Sequence, residues 1–356
     1  MSALHYPAEW ERHEATWLGW PHNRSDWPGK FEPIPWVFAE MARRMAEGET
    51  VRLLVKDEAH ERSARRTLLK ARGSLDRIEF HSHPTNRGWT RDFGPMFAHR
   101  GKTRVILDYQ FNAWAKYPDW QLDDDAPRKL ARKLGHALVD VVHRKRRVVL
   151  EGGAIDINGA GTLITTEECL LDQEVQCRNP GLTRRDMDQV FARYFGARNV
   201  LWFGKGIAGD DTHGHVDDLA RFVNRNTLVL VREENPQDAN HRPLAENWER
   251  VRDFRLEDGS RPEVVSLPMP APVIFDGQRL PASYANFYIC NAAVLVPTFN
   301  DPRDREALGI LADLITDRPV IGIHALDLVW GLGTIHCLTR EEPAPLPRRT
   351  SSNMRT

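Results

Sequence analysis

Short apolar runs of strand length recur along the whole chain, separated by longer stretches with one apolar and one charged face. Strands are predicted over 51–55, 104–107, 148–150, 162–165, 227–231, 293–297 and 320–323, where aliphatic residues cluster between polar or glycine boundaries. Helices are predicted over 36–47, 56–72, 126–138, 183–195 and 304–314. The segment 233–250 reads as a surface loop running into a helix. Alternation of short strands with helices predicts an α/β or α+β architecture.

No Gly/Ser or Pro-rich linker interrupts the middle, so a single domain over 1–345 is expected, with a loose tail rich in Pro, Arg and Ser over 346–356. The 356 residues suffice for a large core, and 41% are apolar. A formal net charge of -1 supplies no global field for nucleic acid or an anionic membrane. The basic run Arg144, Lys145, Arg146, Arg147 reads as a solvated face. No apolar stretch approaches the length of a membrane span, and the first residues lack the basic start and apolar core of an export signal. Four cysteines, Cys169, Cys177, Cys290 and Cys337, are too few for a disulfide scaffold and fit no paired zinc spacing. A soluble, cytoplasmic protein with reduced thiols is therefore expected, and homo-oligomerisation stays open.

The densest motifs centre on Asp92, Glu151, His215, Asn286 and Cys337, roughly 50 to 70 residues apart. Such intervals suit supersecondary units that each present one loop to a shared centre. From Gly331 the chain reads Gly-Leu-Gly-Thr-Ile-His-Cys, where two glycines permit a tight turn or close approach. A free thiol is more often a small core residue, and Cys169 and Cys290 keep that reading. From Gly209 to Asp218 two histidines and four acids surround Gly214. If that stretch is extended, His213, His215 and Asp217 share a face. His215 can then carry a proton near neutral pH, and Asp217 can hold a cation. Asp92 lies between aromatics in Trp89-Thr-Arg-Asp-Phe-Gly-Pro, and Glu151 follows an apolar run and precedes two glycines.

One thiol, one imidazole and three carboxylates suit a planar cation. Carboxylates accept bidentately from the forked donors of a guanidinium. The resonance-stabilised guanidinium carbon is a poor electrophile, and a thiolate divides the attack into two easier steps. Two other readings stay open: a metallohydrolase using His213, His215, Asp217 and Glu151 as ligands, and a guanidine-binding module without turnover.

The sequence also resembles the agmatine deiminases and bacterial peptidylarginine deiminase-type proteins of the guanidino-modifying superfamily. The resemblance runs over nearly the whole chain, through Pro7-Ala-Glu-Trp, His13-Glu-Ala-Thr-Trp-Leu-Gly-Trp-Pro, the Trp89 motif, Phe111-Asn-Ala-Trp, Glu151-Gly-Gly, Thr165-Thr-Glu-Glu-Cys-Leu-Leu, Arg178-Asn-Pro-Gly, Gly214-His-Val-Asp, Ala282-Ser-Tyr-Ala-Asn-Phe-Tyr and Ile335-His-Cys. It implies a pseudo-fivefold α/β propeller (pentein) of ββαβ-type modules around a central site. It implies Cys337 as nucleophile, His215 as proton shuttle, and Asp92, Asp217 and Glu151 as the groups that grip the guanidinium. A small guanidino substrate is implied, with agmatine first and arginine or peptidylarginine as alternatives, and with no metal and no organic cofactor. For a cationic aliphatic guest, Trp89 and Trp114 are the candidate aromatic walls. Three departures from the family pattern stand out. Gly331-Leu-Gly-Thr replaces a triple glycine, Arg340-Glu-Glu-Pro replaces a Gln-rich stretch, and Ala115-Lys-Tyr follows Trp114 where glycines are common.

Overall fold

A computed structural model describes residues 3–346. Of the expected tail over 346–356, all but Leu346 lies outside the described residues.

The strands group into five units that repeat one pattern: an antiparallel pair, a helix, then a third strand parallel to the second. In chain order the first holds Met96–Arg100, Thr103–Asp108 and Ala137–Asp140, with the helix Gln121–Leu134 before the last strand. The second holds Ile155–Ile157, Thr162–Thr166 and Asn199–Phe203, with Arg184–Tyr194. The third holds Ala220–Phe222, Thr227–Arg232 and Glu263–Pro268, with His241–Val251. The fourth holds Tyr288–Ile289, Val294–Thr298 and Val320–His324, with Arg303–Leu314. The fifth joins the two ends of the chain. Thr339–Pro343 pairs antiparallel with His13–Gly19, which runs parallel to Thr50–Val55 across the helix Ile34–Met45. A parallel neighbour requires a crossover, and a helix in each unit supplies it.

Each helix turns its apolar stripe onto its sheet. On Ile34–Met45 the buried positions are Ile34, Phe38, Ala39, Met41, Ala42 and Met45, the spacing of a single helical face. The helix from Arg184 starts at a capping box, in which Thr183 and Asp186 satisfy each other's backbone amides.

Two expectations shift. The helix expected over 126–138 starts earlier, at Gln121, and stops at Gly135, which adopts φ 71°. The strand Ala137–Asp140 takes its end. The run 148–150 forms no strand, only a bridge between Val149 and Gln110.

A network of buried charges lies among these sheets. Glu9 accepts from Arg221 at 2.8 Å, Arg91 at 3.1 Å, the Ile289 amide at 2.9 Å and His336 at 2.8 Å. Arg91 also bonds Glu341 at 2.7 Å. These groups come from distant parts of the sequence, and each buried charge has a partner, as burial demands. No helix among the described residues is long and apolar enough to cross a membrane.

Candidate active site

The first strand of every unit is preceded, within a few residues, by one or two chemically distinctive side chains. Asp92 precedes Met96, Glu151 precedes Ile155, and His215 with Asp217 precedes Ala220. Asn286 precedes Tyr288, and Cys337 precedes Thr339. The regular intervals in the sequence are therefore the lengths of the structural units. Short helical turns present most of these residues: Thr90–Phe93, Gly152–Ala154, Val216–Asp218 and Ile335–Leu338.

All five expected reactive groups meet. Asp217 Oδ2 lies 3.7 Å from Cys337 Sγ. His215 sits inside a cage of carboxylates, with Nδ1 3.8 Å from Asp92 and 4.0 Å from Asp217, and Nε2 4.0 Å from Glu151. The Cys337 thiol donates to Asp217, whereas none of the His215 contacts is short enough to be a hydrogen bond. Both nitrogens of His215, Glu151 Oε2 and Asp217 Oδ1 are buried without partners. Buried polar atoms are nearly always paired, so this concentration of unpaired ones at one point singles it out.

The glycines after Glu151 explain the close packing. A Cβ at Gly153 would stand 2.5 Å from His215 Nδ1, 3.0 Å from Asp217 and 3.1 Å from Asp92, so no side chain fits there. The Gly153 amide donates to Asp92 Oδ1 at 3.0 Å, and the Trp114 indole donates to Oδ2 at 2.9 Å. Trp114 is held in a left-handed turn of three non-glycine residues, with φ of 49°, 59° and 53° at Ala113, Trp114 and Ala115. Each such residue costs about 1–2 kcal/mol. That strain aims an indole N–H at a carboxylate.

The charges follow from these contacts. Burial raises the Asp92 carboxyl above its ordinary range, and Asp217 and Glu151 nearby add to the effect against the pull of His215. Burial would also raise Asp217, but the hydrogen bond and charge of His336 outweigh it and hold Asp217 low. For His215, burial opposes protonation, yet Asp92, Cys169 and Asp217 outweigh it and hold the imidazole well above its usual value. Burial pushes the Cys337 thiol well up, reinforced by Asp217, Asp218 and Asp92.

A cavity of about 250 Å³ opens onto this cluster, lined by Cys337, Asp92, Trp89 and Trp114 and, further along, by Asp26, Arg87, Tyr117 and Asp211. Glu151, His215 and Asp217 are fully buried and are not part of its open wall. A larger hollow of about 660 Å³ along His241–Val251 holds none of these groups. The glycines near Cys337 act through close approach. A Cβ at Gly333 would lie 2.8 Å from the Trp89 ring and 3.2 Å from Cys337 Sγ, whereas the left-handed residue there is Leu332, at φ 69°.

One expectation about this region is corrected. His213 does not share a face with His215 and Asp217. It adopts φ 64°, and its ring meets Asp172 at 2.7 Å, which removes it from the four-ligand metal set. Cys169 is buried in the core as expected, and its Sγ also lies within 4.8 Å of ligating atoms of both Glu151 and His215.

Other residues complete the site without having been singled out as site residues. Asn286 donates to Cys337 Sγ at 3.1 Å and to Asp218 at 3.0 Å, and its oxygen accepts from Thr334 and the His336 amide. Arg178 donates to Glu151 Oε1 at 3.1 Å and fixes which oxygen stays free. His336 bridges Asp217 at 2.7 Å and Glu9 at 2.8 Å, linking the site to the buried network. Asn286 and Arg178 stand in motifs noted above, and the place of Asn286 in the unit repeat marks it.

Residues 5–343 match the Porphyromonas-type peptidyl-arginine deiminase family. The chain belongs to that family. Among family relatives, the agmatine deiminase of Ectopseudomonas mendocina is 32% identical over 366 residues, 96% of each chain. The agmatine deiminase of Enterococcus faecalis superposes with a TM-score of 0.88 at 27% identity, over 97% of each chain. A cysteine-to-serine variant of the C. Jejuni agmatine deiminase, solved with substrate bound, superposes with a TM-score of 0.85 at 29% identity, again over 97% of each chain.

Proposed function

We propose that this protein hydrolyses agmatine to N-carbamoylputrescine and ammonia through a covalent intermediate on Cys337. The observation that carries the reading is the set of buried, unpartnered atoms on Glu151, His215 and Asp217, the last of which also meets the Cys337 thiol. A guanidinium offers N–H donors in a plane and one positive charge, which is what the free oxygens of Glu151 and Asp217 lack. The full-length likeness to agmatine deiminases supports the same substrate.

In this reading Asp92, Asp217 and Glu151 accept the guanidinium N–H groups. The incoming cation offsets the carboxylates that hold the thiol protonated, so the thiol gives up its proton to solvent where its target already lies. Sulfur bonds to the guanidinium carbon, and protonated His215 supplies the proton that leaves with ammonia. The neutral imidazole then draws a proton from water as the water oxygen bonds to the same carbon. The C–S bond breaks, leaving the ureido product and free Cys337. Asn286, donating to the sulfur, steadies its negative charge. Trp89 and Trp114 wall the substrate channel.

The five ββαβ units, each giving one or two groups to a common centre, support a pseudo-fivefold propeller in one domain over 1–345. Four free thiols fit a cytoplasmic enzyme.

Measuring ammonia and ureido product from agmatine, arginine, a blocked arginine and a short arginyl peptide tests the reading. Agmatine is expected to be turned over best. A clear preference for a peptide, or no ammonia from any of the four, overturns it.

A further inference from the structure

The cavity continues past the reactive cluster to a second pair of acids, Asp26 and Asp211. They differ in what they have left to offer. Asp211 is saturated, with one oxygen on the Lys116 ammonium and the other on the Tyr117 hydroxyl at 2.8 Å. Asp26 bonds Arg87 through Oδ1, while its Oδ2 is buried and makes no bond of ordinary geometry. Arg87 is itself answered twice, by Asp26 and by Asp119 at 3.1 Å, so this trio keeps one negative charge over.

Trp89 connects the two ends. Its benzo edge faces Gly331 and Gly333 beside Cys337. The ring also packs against Trp27, the neighbour of Asp26, with centroids 5.2 Å apart. The Trp89 indole thus lies between the thiol and a carboxylate oxygen that has no partner of ordinary geometry, the indole N–H being its nearest donor on this wall.

We infer that Asp26 is a specificity-determining residue, receiving through Oδ2 the ammonium at the far end of a guanidine substrate whose methylene chain lies along Trp89. The inference rests on the deiminase reading above and adds how the tail is chosen. Burial pushes the Asp26 carboxyl up to about 6 although the Arg87 guanidinium and the nearby Trp89 indole N–H both pull it down, the state of an acceptor short of positive charge. Lys116 occupies Asp211 from within the chain, which leaves Asp26 as the free acid of the channel.

The test compares kcat/KM for agmatine, n-butylguanidine and 4-guanidinobutyrate, whose tails are positive, neutral and negative. In the unmodified enzyme the order should be agmatine, butylguanidine, guanidinobutyrate. Asp26→Asn should lower the agmatine-to-butylguanidine ratio about 10- to 100-fold, the loss expected for one buried charged hydrogen bond. Asp211→Asn should move that ratio less than about threefold. An unchanged ratio in Asp26→Asn, or a larger drop in Asp211→Asn, overturns the assignment. Failure of the unmodified enzyme to deiminate any of the three overturns the deiminase reading instead, so the two failures are distinct. Since Asp26→Asn also disturbs Arg87, Arg87→Lys is measured beside it. A ratio that falls as far in Arg87→Lys as in Asp26→Asn overturns a direct role for Asp26.

Discussion

The side-chain amide of Asn286 donates to Cys337 Sγ across 3.1 Å, and its oxygen holds the backbone of the turn that carries the thiol. An amide N–H aimed at sulfur stabilises a thiolate and does little for a thiol. Asn286→Ala should therefore lower kcat about 10²- to 10³-fold, the range for losing one preorganised donor, with a smaller change in KM. Asn286→Asp should do worse, because a fourth carboxylate would face the sulfur. Steady-state kinetics on both variants check this, and near-normal kcat in Asn286→Asp would contradict it.

The pH dependence of the thiol follows from its surroundings. Burial and the facing carboxylates raise Cys337 well above its ordinary value, so the substrate-free enzyme holds a neutral thiol at pH 7. Raising the pH increases the thiolate fraction, and alkylation by iodoacetamide should climb about tenfold per unit through pH 9 without levelling. A cationic reagent changes the balance. 2-Chloroacetamidine brings positive charge among Asp92 and Asp217 and should modify Cys337 at pH 7 at least about tenfold faster than neutral 2-chloroacetamide. Equal rates for the two reagents would refute the role given to the carboxylates.

Gly153 packs against three reactive groups at once. Gly153→Ala should displace His215 or Asp92 and reduce turnover by about 10²-fold or more, at a stability cost of about 1–3 kcal/mol. A thermal melt alongside the rate measurement separates the two effects. Full activity with an unchanged melt would mean that the cage is looser than drawn here.

Ala115 adopts φ 53° beside the strained Trp114. Glycine relieves the left-handed penalty of about 1–2 kcal/mol but adds unfolded-state entropy, leaving Ala115→Gly more stable by about 0.5–1 kcal/mol. Differential scanning calorimetry should show a rise of a degree or two. A fall would mean that the methyl group packs favourably.

Much of the architecture was legible because its signals are local. The helices over 183–195 and 304–314 were placed within a residue or two, since each carries its own apolar stripe and its own cap or breaker. The strand His13–Gly19 left no such mark, as its polar His13 and Thr16 are buried only through partners far away, Glu49 and Tyr288. The first turn of the helix from Gln121 reads as a loop because of three aspartates and Pro127. Only the structure shows the aspartates' partners: the Asn86 amide for Asp123, the Phe111 amide and Arg147 for Asp124, and Lys129 for Asp125. Site residues on repeated motifs were visible. Asp26 was not, because its significance lies in what other segments place against it. His213 misled because alternation assumes an extended chain, and the positive φ at His213 and Gly214 breaks it.

The central claim is attack by Cys337 on the guanidinium carbon, and acid quenching during turnover tests it most directly. Enzyme mixed with excess agmatine, stopped in steady state and digested for mass spectrometry should carry an adduct of agmatine less ammonia on the peptide containing Cys337. The adduct should be absent from Cys337→Ser, which should also release no ammonia. Ureido product formed without that adduct, by an enzyme whose Cys337→Ser variant still turns over, would contradict the account.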